Sequence, residues 1–311
     1  MLVLYHLIPV LCLLCYFAAA YGYSFQFRAR QDLGASDGGK GIKSEQVKAD
    51  LGIRVQRDLE SSRKWLTRGF ALHLAFFGLE EFIRLTKSGE VDASGRLFGE
   101  LLIPSFPTTL SLICAALVGV FLIIEKPMKV SVLGAILAPL AAVMMFCYSL
   151  LVHFPRPERP EIENSFLLWF HIALTIFGHV AFMLAFATSV CLILQESMLK
   201  RKRFNTIQRK LPSLLALDRL NSRFLWSGFV MMATGVIIGA YFAFIRNIPL
   251  SLDSRILWSC ATLGVYFVLL FMMSLFGIRG RRAAWLSVLG YFTVIGSFVS
   301  ANLWSTGFHA H

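Results

Sequence analysis

The most regular feature of this chain is a series of long apolar runs separated by short polar stretches. A transmembrane helix needs about 20 apolar residues to cross a hydrocarbon core roughly 30 Å thick. Runs of suitable length occupy residues 2–21, 66–84, 108–124, 130–152, 166–195, 224–244, 256–276 and 283–304. The pattern predicts an all-α, polytopic membrane helical bundle of about eight transmembrane helices, with residues 1–311 forming a single membrane domain.

The distribution of positive charge predicts how these helices are oriented. No Lys or Arg precedes the first run, whereas a signal peptide needs a positive region there, so we interpret residues 2–21 as a helix that starts outside. With the helix edges included, the inner loops then hold 23 of the 30 Lys and Arg residues, while the 18 acidic residues divide evenly between the two sides. This positive-inside bias predicts basic cytoplasmic loops, both termini outside, and location in an inner (cytoplasmic) membrane.

The longest polar stretch, residues 22–65, is predicted to be a basic cytoplasmic segment with an amphipathic helix in its second half. After a glycine-rich turn, apolar residues recur every four positions, at Val47, Leu51, Val55 and Leu59. Two arrangements remain open. In the first, the helix lies on the inner membrane surface, where its Lys and Arg residues attract anionic lipid. In the second, the helix continues directly into the span at 66–84.

Composition supports the membrane assignment, since 57% of residues are apolar and 15% are charged. The net charge of +12 is explained by the cytoplasmic loops, so membrane lipid is a predicted partner and nucleic acid is not. The sequence contains no P-loop and no serine–histidine–acid set. Adjacent Glu80 and Glu81 face different directions on a helix, so they cannot form a catalytic dyad. The residues therefore do not predict an enzyme.

The seven histidines are the most informative residues, because an ionisable group within a span is costly and usually marks function. Those predicted in the outer third of the bundle are His6, His153, His171, His309 and His311. His179 lies about 12 Å further in than His171 on the same helix, and His73 reaches a similar depth from the inner side. The histidines therefore form an outer and a deeper layer.

Two layers of paired imidazoles are what bis-histidine haem ligation requires, since iron takes one ring nitrogen on each axial face. Zinc is disfavoured, because no Asp, Glu or Cys accompanies these residues in tetrahedral ligand spacing. Cys12 and Cys15 form a C-x-x-C, but Tyr16 follows where c-type haem attachment needs histidine. The alternative is that each histidine is a hydrogen-bonded packing residue, and the residues alone leave both interpretations open.

Three stretches carry a resemblance to a known family. The first is Leu-Leu-Trp-Phe-His at 167–171. The second runs from Leu-Pro-Ser at 211–213 through Leu-Asp-Arg-Leu at 217–220 into the helix that contains Gly228 and Gly235. The third is Gly-Arg-Arg-Ala-Ala-Trp at 280–285, which is followed by Asn302-Leu303 and Gly307-Phe308-His309. The chain resembles the CcmC/CcsA/HemX group of cytochrome c assembly and haem-handling membrane proteins. It is most similar to the HemX-like branch, over most of residues 66–311.

The resemblance implies a haem site. In that family the histidines matching His171 and His309 are the paired outer haem ligands, and Trp169 belongs to the same motif. The implied cofactor is non-covalent, b-type haem, with His73 and His179 as a candidate deeper ligand pair. Candidate partners are other cytochrome c assembly subunits or an apocytochrome.

One departure from the family concerns the outer segment between the two ligand helices. Assembly members carry a tryptophan-rich WWD motif there, whereas residues 240–255 read AYFAFIRNIPLSLDSR and contain no Trp. The departure weakens an interpretation in which the chain presents haem to an apocytochrome, but leaves a haem site intact. Arg246 and Arg255 flank this segment, either as partners of haem propionates or as anchors at the membrane interface.

Three functions follow as hypotheses. The leading one is a haem-binding membrane protein of cytochrome c assembly type that holds or translocates haem near the outer face. The second is a HemX-like membrane regulator of haem biosynthesis that acts through the cytoplasmic segment 22–65. The third is a small-solute secondary transporter, which would need broken helices at mid-bilayer, and the sequence has no matching pair of Gly/Pro interruptions.

Overall fold

The computed structural model describes residues 2–35, 42–87, 106–152, 166–200, 212–245 and 254–305. Within these ranges the chain is helical and has no β-strand, so the all-α prediction is confirmed. The α-helices are α1 Leu2–Ala35, α2 Ile42–Lys87, α3 Phe106–Ile124, α4 Gly134–Leu151, α5 Phe166–Lys200, α6 Leu214–Ile245, α7 Ser254–Leu275 and α8 Arg281–Ser305. A short 3-10 helix, Ser131–Leu133, precedes α4.

Five of the described helices are long and apolar enough to cross a membrane. Their candidate spans are Leu7–Phe25, Pro107–Ile124, Ser131–Leu151, Phe166–Lys200 and Leu214–Phe242, and a shorter apolar stretch covers Ser259–Leu275. The chain is therefore an integral membrane protein with several crossings. The further predicted spans at 66–84, 256–276 and 283–304, and the orientation of all eight, stay predictions.

The second helix joins two regions that the sequence pattern had separated. It runs unbroken for 46 residues from Ile42 to Lys87, which corresponds to about 69 Å and is more than twice the thickness of a hydrocarbon core. Of the two arrangements open for the amphipathic stretch, the structure has the helix that continues into residues 66–84. The predicted glycine turn at 38–41 lies outside the described residues.

The chain divides into two compact units, and the first comprises Met1–Gly99, Leu110–Pro155 and Gln195–Ser213. In this unit α1 packs along both α2 and α4. A partly buried ion pair ties α2 to the turn after α3, because an Arg63 guanidinium nitrogen lies 2.7 Å from a Glu125 carboxylate oxygen. The Tyr23 hydroxyl of α1 donates to the other Glu125 oxygen at 2.8 Å. One carboxylate thus holds three segments together.

The second unit comprises Glu100–Thr109, Arg156–Leu194 and Leu214–His311. In it α7 packs against α6 and α8, which also contact each other. The Phe182 ring of α5 stacks on the Tyr266 ring of α7, with centroids 3.7 Å apart. The buried Asn221 amide oxygen of α6 accepts hydrogen bonds from Ser189 of α5 at 3.0 Å and from Ser287 of α8 at 3.4 Å. The prediction of one membrane domain over residues 1–311 stays a prediction.

Candidate functional site

The centre of the candidate site is His171, in the second turn of α5. Its Nδ1 lies 2.6 Å from the backbone carbonyl oxygen of Gly235 on α6, and the ring is half-buried. A carbonyl oxygen can only accept, so Nδ1 must carry the proton and donate it. In the neutral ring, Nε2 then carries a lone pair. Nε2 makes no hydrogen bond with the part of the chain that the structure describes.

The His171 ring occupies a gap in the surface of α6. A Cβ atom placed on Gly239 would lie 2.6 Å from Cε1 of His171 and 2.7 Å from its Nδ1, so only glycine leaves room for this ring. A Cβ on Gly228 would similarly lie 2.7 Å from the Phe182 ring. These two glycines of α6 thus let α5 approach closely, as small residues generally do between membrane helices.

Two turns further along α5, His179 has the same tautomer for the same reason. Its Nδ1 lies 2.7 Å from the carbonyl oxygen of Thr175, one turn earlier in the helix. The carbonyl again requires Nδ1 to donate, so the lone pair of the neutral ring lies on Nε2. The Nδ1 hydrogen bond of His179 is therefore of the same kind as that of His171, although its acceptor lies on the same helix.

The environment of His73, on α2, is different. The ring is fully buried, with Nδ1 3.0 Å from the Tyr16 hydroxyl and Nε2 2.8 Å from the Ser111 hydroxyl. The Phe77 ring stacks on it with centroids 5.0 Å apart. Ligation of iron would break one of these two hydrogen bonds, at a cost of about 1–3 kcal/mol for a buried group left unpaired. These contacts are those of a packing residue.

The two residues predicted as a deeper ligand pair fall in different parts of the chain. His73 belongs to the first compact unit and His179 to the second. The structure does not test whether they act together, and their pairing stays a prediction. No group of three or more His, Cys, Asp or Glu residues suited to hold a metal ion occurs among the described residues.

The remaining predicted site residues are described only in part. Trp169 lies two residues before His171 on the same helix and is half-buried. Arg255 lies in the first turn of α7 and His6 in the first turns of α1, but neither side chain is among the described ones. The residues predicted for the site or the outer layer that lie outside the described ranges are His153, Arg246, His309 and His311.

Two contacts in this unit, one at the site and one near the start of α6, were not predicted. The Gly235 carbonyl was missed because a backbone acceptor on another helix leaves no mark in the residue type. Asp218, at the start of α6, accepts a hydrogen bond from the backbone N–H of Gly280 at 2.8 Å. This contact joins the second and third stretches of the resemblance, so the shared motif has a structural basis in this unit.

Several helices long and apolar enough to cross a membrane define an integral membrane protein of the helical-bundle class. More specifically, the chain belongs to the cytochrome C assembly protein family, whose sequence profile matches residues 105–309. The match contains His171, His179 and His309 and excludes His73. The resemblance to the CcmC/CcsA/HemX group is thereby confirmed, and it supports a haem-related role in cytochrome c biogenesis.

Two similar proteins carry names that agree with membership of this family. The chain is 28% identical over 149 residues to Protein HemX of Brevibacillus brevis, which covers 46% of this chain and 55% of that protein. It is 31% identical over 96 residues to the cytochrome c biogenesis protein CcsA of Synechococcus sp. (strain RCC307), covering 30% of this chain and 31% of that protein. An uncharacterized 28.8 kDa protein of Azospirillum brasilense is 30% identical over 122 residues, 39% of this chain and 45% of that protein.

The chain thus spans between about a third and about half of the length of these relatives, from 31% to 55%. No solved structure matches the chain.

Proposed function

We propose that this protein binds one non-covalent, b-type haem near the outer membrane face, with His171 and His309 as axial ligands, and that it handles haem for cytochrome c assembly. The observation that carries the proposal is the hydrogen bond from His171 Nδ1 to the Gly235 carbonyl oxygen. Metal-ligating histidines generally donate their other ring N–H to a carbonyl or carboxylate, because this fixes the tautomer and the ring orientation. His171 has this arrangement.

The donor set fits haem better than it fits a bare metal ion. Haem supplies an iron with four of its positions already filled, so it needs one or two imidazoles and no cluster of protein ligands. A tetrahedral ion such as zinc would need three or four donors at one point. No such cluster occurs among the described residues, and His171 is a single prepared donor.

The second ligand, His309, is proposed from the resemblance and from chain position. Helix α8 ends at Ser305, four residues before His309, and α8 belongs to the same compact unit as His171. The family profile extends to residue 309, so the motif that includes this histidine is part of the match. Trp169 is proposed to lie beside the porphyrin, and Arg246 and Arg255 are proposed partners for its propionates.

The prediction of a second, deeper ligand pair at His73 and His179 has weaker support. The carbonyl-bound Nδ1 of His179 supports a ligand role for that residue. The two hydrogen bonds of His73 favour the packing alternative for its partner. A single outer haem is therefore the simpler proposal.

The proposed location is the inner (cytoplasmic) membrane, with the basic loops in the cytoplasm and the haem site towards the opposite side. The positive-inside bias supports this orientation. The proposed partners are haem, membrane lipid, and other cytochrome c assembly subunits or an apocytochrome. The missing tryptophan-rich segment between the ligand helices favours holding or translocating haem over presenting it directly to an apocytochrome.

The test is the absorbance spectrum of the full chain, purified in detergent from cells supplied with haem. We expect a Soret band with the sharp visible bands of six-coordinate, low-spin haem, and extraction of all the haem by acidified acetone because it is not covalently bound. A purified, monodisperse protein without a Soret band after haem supplementation would contradict the proposal. Haem that resists extraction would contradict its b-type character.

A second candidate function is regulation of haem biosynthesis through the cytoplasmic segment 22–65. The observation that favours it is that this segment lies outside residues 105–309, so it is not accounted for by the family match. Part of it is the first half of α2, where the side chains of Arg54 and Arg57 are exposed. Reversing both charges (Arg54→Glu with Arg57→Glu) should abolish co-purification of a soluble haem-biosynthesis enzyme while leaving the haem spectrum unchanged. Equal recovery of that enzyme with both proteins would exclude this function.

A further inference from the structure

The contact between α5 and α6 at His171 differs from ordinary packing between membrane helices. One face of α6 carries Gly228, Gly235 and Gly239, and each lies against a side chain of α5. At Gly228 the neighbour is the apolar ring of Phe182, and at Gly239 it is the imidazole of His171. Between them, Gly235 offers its carbonyl oxygen to the same imidazole at 2.6 Å. Two glycines of α6 therefore contact one candidate ligand, by shape and by hydrogen bond.

We propose that Gly239 is a positioning residue for His171, and that the slot it leaves in α6 sets the ring orientation, the tautomer and the haem affinity of this ligand. The proposal deepens the proposed function and rests on it. Gly239 would touch neither iron nor porphyrin in this role. It would act through the imidazole that it allows to approach the Gly235 carbonyl.

The magnitude follows from the distances. A Cβ on residue 239 would lie 2.6 Å from Cε1 of His171, whereas ordinary carbon–carbon contact needs about 3.5–4.0 Å. The ring would have to move away from α6 by about 1 Å. Its Nδ1 now lies 2.6 Å from the Gly235 oxygen, so the same movement lengthens the bond by up to about 1 Å, towards a distance at which no hydrogen bond is made. The methyl group of Gly239→Ala should therefore break the hydrogen bond between His171 and the Gly235 carbonyl.

Two properties of the site, its haem affinity and its reduction potential, depend on this hydrogen bond. A histidine whose N–H donates to a carbonyl is a more basic ligand, and such outer partners change metal affinity by about 10–100-fold. A more basic ligand also favours ferric over ferrous iron, since hydrogen bonding around the iron ligands is one of the means by which a protein sets the reduction potential. The bond between His171 and Gly235 should therefore both tighten binding and lower the haem potential.

Gly228 provides a matched control. It lies on the same face of α6, eleven residues or about 16 Å from Gly239. A Cβ there would lie 2.7 Å from the Phe182 ring, so Gly228→Ala crowds an aromatic ring of α5 as severely as Gly239→Ala does. The two variants should lose similar thermal stability, while only one of them touches His171. Any difference between them in haem properties then reports on the ligand and not on packing.

The experiment compares the wild-type protein with Gly239→Ala and Gly228→Ala in detergent, by haem titration and by spectroelectrochemistry. We expect Gly239→Ala to bind haem about 10–100-fold more weakly and with a higher midpoint potential, and Gly228→Ala to match the wild type in both. Equal haem affinity and potential in the two alanine variants would overturn the inference.

A measurement without haem tests the same idea on the apoprotein. With ¹⁵N-labelled histidine, His171 should show the Nδ1–H tautomer in the wild type and in Gly228→Ala, and lose its fixed tautomer in Gly239→Ala. His171→Ala, which removes the signal, gives its assignment. A single Nδ1–H tautomer that persists in Gly239→Ala would contradict the role proposed for the slot.

Rescue by free imidazole keeps the inference testable if Gly239→Ala is too unstable to titrate. In His171→Gly, added imidazole should enter the vacated slot and restore the low-spin spectrum, whereas adding Gly239→Ala to that variant should prevent rescue. Equal rescue in both would overturn the inference. Failure of the proposed function would be distinguished from failure of this inference by a separate variant. If His171 is not a haem ligand, His171→Ala keeps the wild-type spectrum and full haem occupancy.

Discussion

The ion pair between Arg63 and the buried Glu125 carboxylate tests what holds the first compact unit together. The Glu125 side chain is only 6% exposed and accepts hydrogen bonds from Arg63 at 2.7 Å and from the Tyr23 hydroxyl at 2.8 Å. The Arg63 side chain is 27% exposed and also donates to the Leu122 carbonyl at 3.1 Å. Removing Arg63 and removing Glu125 should therefore lower the free energy of unfolding by different amounts.

Arg63→Met keeps most of the side-chain length and leaves the Glu125 carboxylate buried with the Tyr23 hydroxyl as its remaining hydrogen-bond donor among the described residues. Leaving a buried carboxylate without its counter-ion in this way costs about 3–5 kcal/mol. Glu125→Gln leaves the cation, but Arg63 reaches water and keeps the Leu122 carbonyl. The loss is then that of a charged hydrogen bond, about 1.5–3 kcal/mol.

The assay is reversible unfolding of the full chain in mixed detergent micelles, which gives the free energy of unfolding for each variant. Arg63→Met should be the more destabilised single variant. The double variant, Arg63→Met with Glu125→Gln, should be more stable than Arg63→Met alone, since it removes the unpaired charge. If Glu125→Gln costs as much as Arg63→Met, or if the two changes add without coupling, the reasoning about the stranded carboxylate is refuted.

Three further predictions concern topology, the second unit and the deeper histidines. Single cysteines at Ser305 and Lys40 should be labelled from the outer and the inner side respectively, and labelling of both from one side would contradict the eight-span topology. Asp218→Ala should lower the free energy of unfolding by about 1.5–3 kcal/mol, because the Gly280 N–H loses its acceptor. Asp218→Asn should lower it less, since the amide oxygen still accepts this hydrogen bond. Equal stability of the wild type and both variants would contradict this prediction. If His179 and His73 ligate a second haem, His179→Ala should halve the haem per chain in a pyridine haemochrome assay, and unchanged haem would assign both to packing.

The apolar pattern was sufficient to predict the helices, because a bilayer requires each crossing to satisfy its own backbone and to be apolar throughout. It was less informative about where the helices end. Helix α1 was predicted over 2–21 and continues to Ala35, and α6 was predicted from 224 and begins at Leu214. Outside the hydrocarbon core nothing requires a helix to stop, so hydropathy marks the membrane and not the helix boundary.

The candidate site was predicted at the level of residue type, since His171 stood out as an ionisable group within a span. Its partner could not be predicted, because the acceptor is the Gly235 carbonyl, 64 residues further along the chain. His73 shows the opposite case. It stood out for the same reason, yet Tyr16 and Ser111 occupy both of its ring nitrogens, and hydroxyl groups on neighbouring apolar helices give no signal of pairing in the sequence.

The central claim is that His171 and His309 are the two axial ligands of one haem. It is tested most directly by the absorbance spectra of purified His171→Ala and His309→Ala, with His311→Ala as the matched control near the same end of the chain. Removing either ligand opens a coordination position, so we expect each of the first two variants to become five-coordinate and high-spin or to lose haem, while His311→Ala matches the wild type. Wild-type Soret and α-band positions at full haem occupancy in both ligand variants would contradict the claim.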